Sequence, residues 1–264
     1  MKIRSLLVFV VLMMTSVLVR SQQPASQPIE DNSFLIEEAY NQEKGVIQYI
    51  NSFLRTRNGD FAYGFTNEIP VGGQRHQFSY TLQLVRSNTK VGIGDTFLNY
   101  RYQLRGKEGD KVWISPRFSL VLPTGNYRRG TGAGAVGYQV NVPVSVEHSK
   151  LIVTHWNAGL TYTPRARNVL GDRANTTSFN LGQSTVFLIR NNFNFLVETV
   201  WNRNAAVAGP SLTSKTYSLL VNPGIRWAYN LKHGLQIVPG LAAPIGVGPS
   251  WGEHGIFLYL SFEK

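Results

Sequence analysis

The sequence predicts an all-β chain: a twelve-stranded antiparallel up-and-down transmembrane β-barrel with a short N-terminal periplasmic or plug segment. Three observations carry this. Apolar side chains recur with a period of two along most of residues 45–264. The alternate positions hold Gln, Asn, Ser, Thr and Gly rather than the Lys and Glu of a water-bathed sheet. The connections between alternating stretches are mostly long on one side and short on the other.

The chain opens with Lys2 and Arg4 ahead of an apolar run, Leu6–Met14, continuing to Val19. Val19 and Ser21 then offer small side chains before Gln22. Residues 1–21 thus read as a signal peptide, since the apolar stretch is shorter than the roughly 20 residues of a spanning helix. Residues 22–44 carry Glu30, Asp31, Glu37, Glu38 and Glu43 against Lys44. Gln22–Asn32 is polar and Pro-containing, a flexible leader. Ser33 as an N-cap, with Glu37 and Glu38 behind it, predicts one short helix. Two readings of this acidic leader stand: a periplasmic extension, or a plug that offers its carboxylates to lumen arginines.

Residues 45–264 form the barrel. Strands are expected near 46–55, 60–71, 75–87, 92–104, 112–123, 135–147, 151–163, 178–190, 192–203, 215–229, 234–246 and 255–263. Phe78, Tyr80, Leu82 and Leu84 alternate with Gln77, Ser79, Thr81 and Gln83. Leu98, Tyr100, Tyr102 and Leu104 alternate with Phe97, Asn99, Arg101 and Gln103. Strict alternation marks strands with one apolar face. A mildly polar second face is the inversion expected of a barrel with lipid outside and a polar lumen inside. Connections near 123–135, 163–178 and 203–215 are long, those near 147–151 and 190–192 short. Outer-membrane barrels show that asymmetry, with long loops outside and short periplasmic turns. Pro116, Pro143, Pro223, Pro239 and Pro244 fall inside expected strands and must sit at bulges or strand ends, since proline removes a ladder donor. Short Pro-interrupted strands also suit a secreted soluble β-sandwich binding module, which stays as an alternative.

Charge and composition narrow the function. Apolar residues make up 43% and charged residues 16% of the chain, and this excludes a disordered chain. With no Cys there is no disulfide framework and no Cys-ligated metal. The net charge of +11 resides in the body, which suggests an anionic neighbour. Arg128-Arg129 is the only adjacent basic pair, so no nucleic-acid stripe is expected. No cofactor and no metal are expected, because the five histidines lack ligand spacing.

If apolar side chains face lipid, Glu68, Asp95, Arg101, Arg117, Glu198 and Arg226 point into the lumen. Opposite charges there pair, either filling the barrel or lining a selective path. Arg128, Arg129, Arg165, Arg167, Arg173, Arg203 and Lys215 fall near the outer rim, where arginine forks suit lipopolysaccharide phosphates.

Four stretches carry a family resemblance: Phe34–Tyr40, Gly92–Leu104, Pro116–Gly125 with its Leu-Pro-Thr-Gly end, and Val238–Gly246. Together they resemble the outer-membrane transporter-like family labelled "MetA pathway of phenol degradation". The resemblance implies a β-barrel that passes small, aromatic or hydrophobic compounds.

Enzyme signals are weak. Gly132-Ala-Gly134-Ala-Val-Gly137 matches a dinucleotide fingerprint, but a strand pattern follows it where a helix is required. Glu147-His148-Ser149 are neighbours in a tight turn, and His155 has no matching Ser in sequence. No catalytic residue is assigned, and an outer-membrane acyl hydrolase is the alternative. The expectation is a monomeric barrel in the bacterial outer membrane, in contact with membrane lipid and passing small solutes by passive diffusion.

Overall fold

The computed structural model describes Ile29 and residues 32–87 and 89–264. The expected signal peptide lies outside the described residues, as does most of 22–31. Among the described residues sixteen strand segments form one antiparallel sheet. They are β1 (Gln48–Thr56), β2 (Phe61–Pro70), β3 (His76–Ser87), β4 (Lys90–Ile93), β5 (Thr96–Tyr102), β6 (Val112–Ile114), β7 (Arg117–Leu122) and β8 (Gly137–Ser149). Then come β9 (Ile152–Arg167), β10 (Arg173–Arg190), β11 (Phe193–Gly209), β12 (Leu212–Trp227), β13 (Tyr229–Asn230), β14 (Gln236–Ala242), β15 (Ile245–Gly246) and β16 (Gly255–Glu263). Four staves are interrupted: β4 with β5, β6 with β7, β12 with β13, and β14 with β15. The sheet therefore has twelve staves. β1 pairs with β16 from Gln48↔Glu263 to Thr56↔Gly255, which closes the barrel.

The prolines mark two of the interruptions. Pro116 separates β6 from β7, and Pro143 lies beside it on β8, its carbonyl accepting from Ser115 N at 3.1 Å. Pro244 separates β14 from β15, and Pro223 lies beside that gap on β12, its carbonyl accepting from Ala243 N at 3.0 Å. Pro239 lies inside β14, between the pairs Arg226↔Gly240 and Tyr229↔Ile237, facing the break between β12 and β13. The missing donors thus fall where the ladder is already broken, so a closed barrel accommodates them.

Two expected long connections are corrected. The stretches 163–178 and 203–215 are mostly strand: β9 and β10 pair up to Arg173↔Arg167, and β11 and β12 up to Gly209↔Leu212. β-Branched residues, among them Thr163, Thr176, Thr177, Val207 and Thr213, favour continued pairing beyond the membrane-sized length. The loops proper are 168–172 and 210–211. These four staves run 16–18 residues against 9 in β1, so the barrel's far rim rises on one side.

Alternation sorts the two faces. On β11, Asn194, Leu196, Glu198 and Val200 are buried inward. Outside, Tyr100, Phe118, Tyr138, Trp156, Leu181 and Leu258 are exposed. An apolar belt this extensive is what lipid covers. The inner face is not uniformly polar: Ile50, Val186, Leu196, Ala242, Phe257 and Tyr259 form a buried apolar cluster inside the barrel. β16 is apolar on both faces, and β1 adds Ile50 and Leu54 inside, so one sector of the lumen wall is greasy.

Candidate functional site

Residues 32–42 lie inside the barrel, at the end where the chain enters β1. The expected helix after Ser33 is absent; the segment is bent and extended. The wall supplies the reason. Phe34 N, Leu35 N and Ile36 N all donate to Glu198 Oε1, at 3.0, 2.8 and 3.0 Å. Three successive N–H groups aimed at one oxygen make an anion nest. A helix leaves these first donors free, and it is the later ones, Glu37 N and Ala39 N, that the wall takes from it. Ser33 Oγ donates to Ser184 Oγ at 2.8 Å rather than capping. Further along, Glu37 N donates to Asn157 Oδ1 (3.0 Å), Ala39 N to Ser145 Oγ (2.8 Å), Asn41 N to Gln103 Oε1 (3.0 Å) and Gln42 N to Gln77 Oε1 (2.8 Å). The acceptors sit on β3, β8, β9 and β11 and just past β5, so the segment is hydrogen-bonded across the lumen.

Arginines hold its carbonyls and carboxylates. Arg101 donates to Asn41 Oδ1 (2.7 Å), to the Glu38 carbonyl (3.1 Å) and to the Tyr40 carbonyl (2.6 Å), with Glu68 Oε2 at 3.7 Å. Arg226 Nη1 donates to the Asn32 carbonyl at 2.7 Å. Arg117 forms a two-bond fork on Glu37, Nε to Oε2 at 2.9 Å and Nη2 to Oε1 at 2.7 Å. Of the six charges expected in the lumen, Glu68, Arg101, Arg117, Glu198 and Arg226 therefore gather around the segment. Asp95 does not. Its carboxylate accepts from Gly125 N (3.0 Å) and Ala133 N (2.7 Å), clamping the 123–136 connection at the far mouth.

The apolar side chains of the segment fit into gaps left by glycines. A Cβ on Gly224 or Gly240 would strike the Phe34 ring, and one on Gly182 would strike Ile36 Cδ1. Phe34 also packs on Phe257 and Tyr259, with ring centroids 5.4 and 5.6 Å away. We expect Gly240→Val to unseat Phe34 and raise single-channel conductance, and Phe34→Ala in the same chain to reverse much of that rise. A double variant as conductive as Gly240→Val alone would show that the ring and the glycine do not act together.

Above the segment, towards the far mouth, is a cavity of about 450 Å³. One wall, on β16 and β1, is apolar, with Phe257, Tyr259, Ile50 and Leu54 beside Phe34; the other carries Glu37, Arg117, Asn99 and Gln139, with Phe97 on the same stave as Asn99. Sequence parity identified many of these positions as inward-facing, yet gave no sign that Asn157, Ser145, Gln103 and Gln77 hold the leader. The run Ile256–Phe262 is the one readable signal of the apolar wall.

The enzyme motifs are rearranged. Glu147, His148 and Ser149 do not converge: His148 Nε2 bonds Thr154 Oγ1 at 2.9 Å, and Ser149 Oγ accepts from Leu151 N. His155 does meet a serine, correcting the expectation, because Ser145 on the neighbouring stave lies 2.7 Å from its Nδ1. Both are buried, Ser145 Oγ also accepts from Ala39 N, and among the described residues no carboxylate hydrogen-bonds to His155. A nucleophile needs its base oriented by a third group.

At the far rim, Arg128 and Arg167 flank the Tyr127 ring, 5.7 and 5.1 Å from its centroid, and Arg203 lies 5.2 Å from that of Phe179. Hydrogen bonds from Arg128 and Arg167 hold the Tyr127 phenol below the usual tyrosine range. Arg129, Arg165, Arg173 and Lys215 are exposed nearby.

No family model matches the sequence, and no curated protein does. Solved structures match. An outer-membrane channel from Pseudomonas putida F1 superposes over 91% of this chain and 99% of its own, with a TM-score of 0.65 and 10% identity. The fold is that of an outer-membrane β-barrel. The NanC porin matches over 82% of this chain and 98% of its own, with a TM-score of 0.51 and 13% identity. At these identities the likeness is one of fold, and the channel's contents are this chain's own.

Proposed function

We propose that the barrel sits in the bacterial outer membrane as a monomer and passes small solutes by passive diffusion, through a lumen narrowed by residues 32–42. The observation that carries this is the cavity resting on that segment, walled by apolar rings on one side and by hydrogen-bonding groups on the other. Such a wall suits small compounds with an aromatic or apolar body, the class that the resemblance to the phenol-degradation family implies. Twelve staves make a wider barrel than side-chain-filled eight-stranded ones and a narrower one than porins of 16–18 strands. The reading is tested by reconstituting the full chain in a planar bilayer, where discrete small conductance steps are expected. Silent bilayers from heat-modifiable, folded protein would overturn it.

The far rim, with its tall hairpins, faces the cell exterior in this proposal, and its arginines contact lipopolysaccharide phosphates. Guanidinium forks pair bidentately with phosphate. An epitope tag after Asn168 should be reachable on intact cells. Replacing Arg128, Arg129, Arg167 and Arg173 together by Gln should weaken lipopolysaccharide binding about tenfold or more at low salt. A hidden tag or an unchanged affinity counts against the assignment.

A further inference from the structure

Two arginines hold residues 37–41, in different ways. Arg101 is enclosed, its side chain 3% exposed, and spends its donors on Glu38, Tyr40 and Asn41. Arg117 and its partner Glu37 are more open, 13% and 30% exposed, and both line the cavity. The remaining Arg117 donors are fixed by wall groups: Nη1 by Asn99 Oδ1 at 2.9 Å and by Ser119 Oγ, Nη2 by Gln139 Oε1 at 2.9 Å. The guanidinium therefore presents a preset two-pronged face, and Glu37 occupies it. The Glu37 backbone is held separately by Asn157, through Oδ1 to N at 3.0 Å and Nδ2 to O at 2.7 Å. Its side chain can leave the fork without the backbone moving.

We infer that Glu37 is an internal stand-in for the carboxylate of a solute. A small organic acid with an apolar body enters the cavity, takes the Arg117 fork, and displaces the Glu37 side chain. The geometry supplies both halves of such a ligand's recognition. The fork demands two coplanar oxygens bearing negative charge, and Phe257 and Tyr259 on β16, five staves round the ring, line the same cavity. A cavity of about 450 Å³ lies within the 300–1,000 Å³ range of ligand pockets. Neutral analogues cannot replace Glu37, because they would leave the guanidinium without an anion. Displacement removes one anchor of residues 32–42, so binding and permeability are linked.

This inference rests on the passage reading above. Benzoate is the probe and benzyl alcohol its neutral control, with the full chain in detergent and binding followed by calorimetry. Removing the internal competitor in Glu37→Gln should tighten benzoate binding about tenfold. Arg117→Gln should abolish it, and Arg117→Lys should retain only part, since an ammonium cannot form the fork. Benzyl alcohol affinity should change in none of them. If benzoate binds Glu37→Gln no more tightly than wild type, or if benzyl alcohol responds alike, the inference is overturned. Should Arg117→Gln fail to fold, Glu37→Gln and Arg117→Lys still decide. The two proposals fail separately: conductance unchanged when residues 32–42 are removed sinks the constriction, whereas a raised conductance with unaltered benzoate affinity in Glu37→Gln sinks only the carboxylate.

Discussion

Removing residues 32–42 is expected to raise single-channel conductance several-fold. The segment fills the lumen with backbone as well as side chains, and its hydrogen-bond acceptors sit on or beside staves around the ring. Closure does not depend on it, because β1 and β16 pair over nine residues of their own. The wall groups it satisfies are polar and face a lumen wide enough for water, so the deleted barrel remains folded with water in the segment's place. High salt should reproduce at most a small part of the effect in the wild type, since the Glu37–Arg117 contact at 2.7 Å is shorter than the Debye length of about 3 Å at 1 M and only longer-range attraction is screened. Conductance and salt dependence that stay unchanged on deletion would leave the segment as a mere tether.

Glu198→Ala is expected to come close to the deletion in its effect. One oxygen of Glu198 takes three backbone donors, and the other takes Asn222 Nδ2 at 2.6 Å. The side chain is fully buried, so no solvent stands ready to replace it. A hydrogen bond to a charged group contributes roughly 1.5–3 kcal/mol. Losing three such bonds is comparable with the roughly 5.5 kcal/mol that takes a two-state population from 1:99 to 99:1. The seated segment should thus give way to a released one. Glu198→Gln keeps an acceptor at Oε1 and should fall between the two. Hydrogen exchange at the amides of residues 34–36 measures the release directly, and amides as protected in Glu198→Ala as in wild type would refute it.

The barrel was legible because a two-residue period survives any local irregularity. Gln77, Asn99, Arg101 and Glu198 all fall at inward parity, and parity alone places them. The rest depends on distance in space. The helix expected after Ser33 follows sound capping rules, yet Asn157 and Ser145, 120 and 106 residues from Glu37 and Ala39, take the amides that the helix would need. The meeting of Ser145 with His155 follows from register across two staves, which no single stretch displays. Asp95 has the right parity but sits beside Gly94, where the stave breaks and a loop folds over, so its carboxylate serves the loop. Glycines 182, 224 and 240 fall inside expected strands, where nothing in the sequence accounts for them; their role as sockets appears only once Phe34 and Ile36 are seen against them.

The pairing of β1 with β16 has a kinetic consequence. Its partners are among the most distant in the chain, Gln48 with Glu263, and Ile47 and Lys264 exchange backbone bonds at the same seam at 2.7 and 3.0 Å. The plug contacts are nearly as remote, 194 residues apart for Asn32 and Arg226. Such non-local contacts form late and slowly, because loop closure must precede them. The last event of assembly therefore brings both flanks of the chain together beside the turn at residues 43–46, where Val46 N donates to the Glu43 carbonyl at 3.0 Å. A nascent barrel stays ajar at this seam until its two ends meet, and the leader settles into the lumen as a second late step that the seam itself does not await.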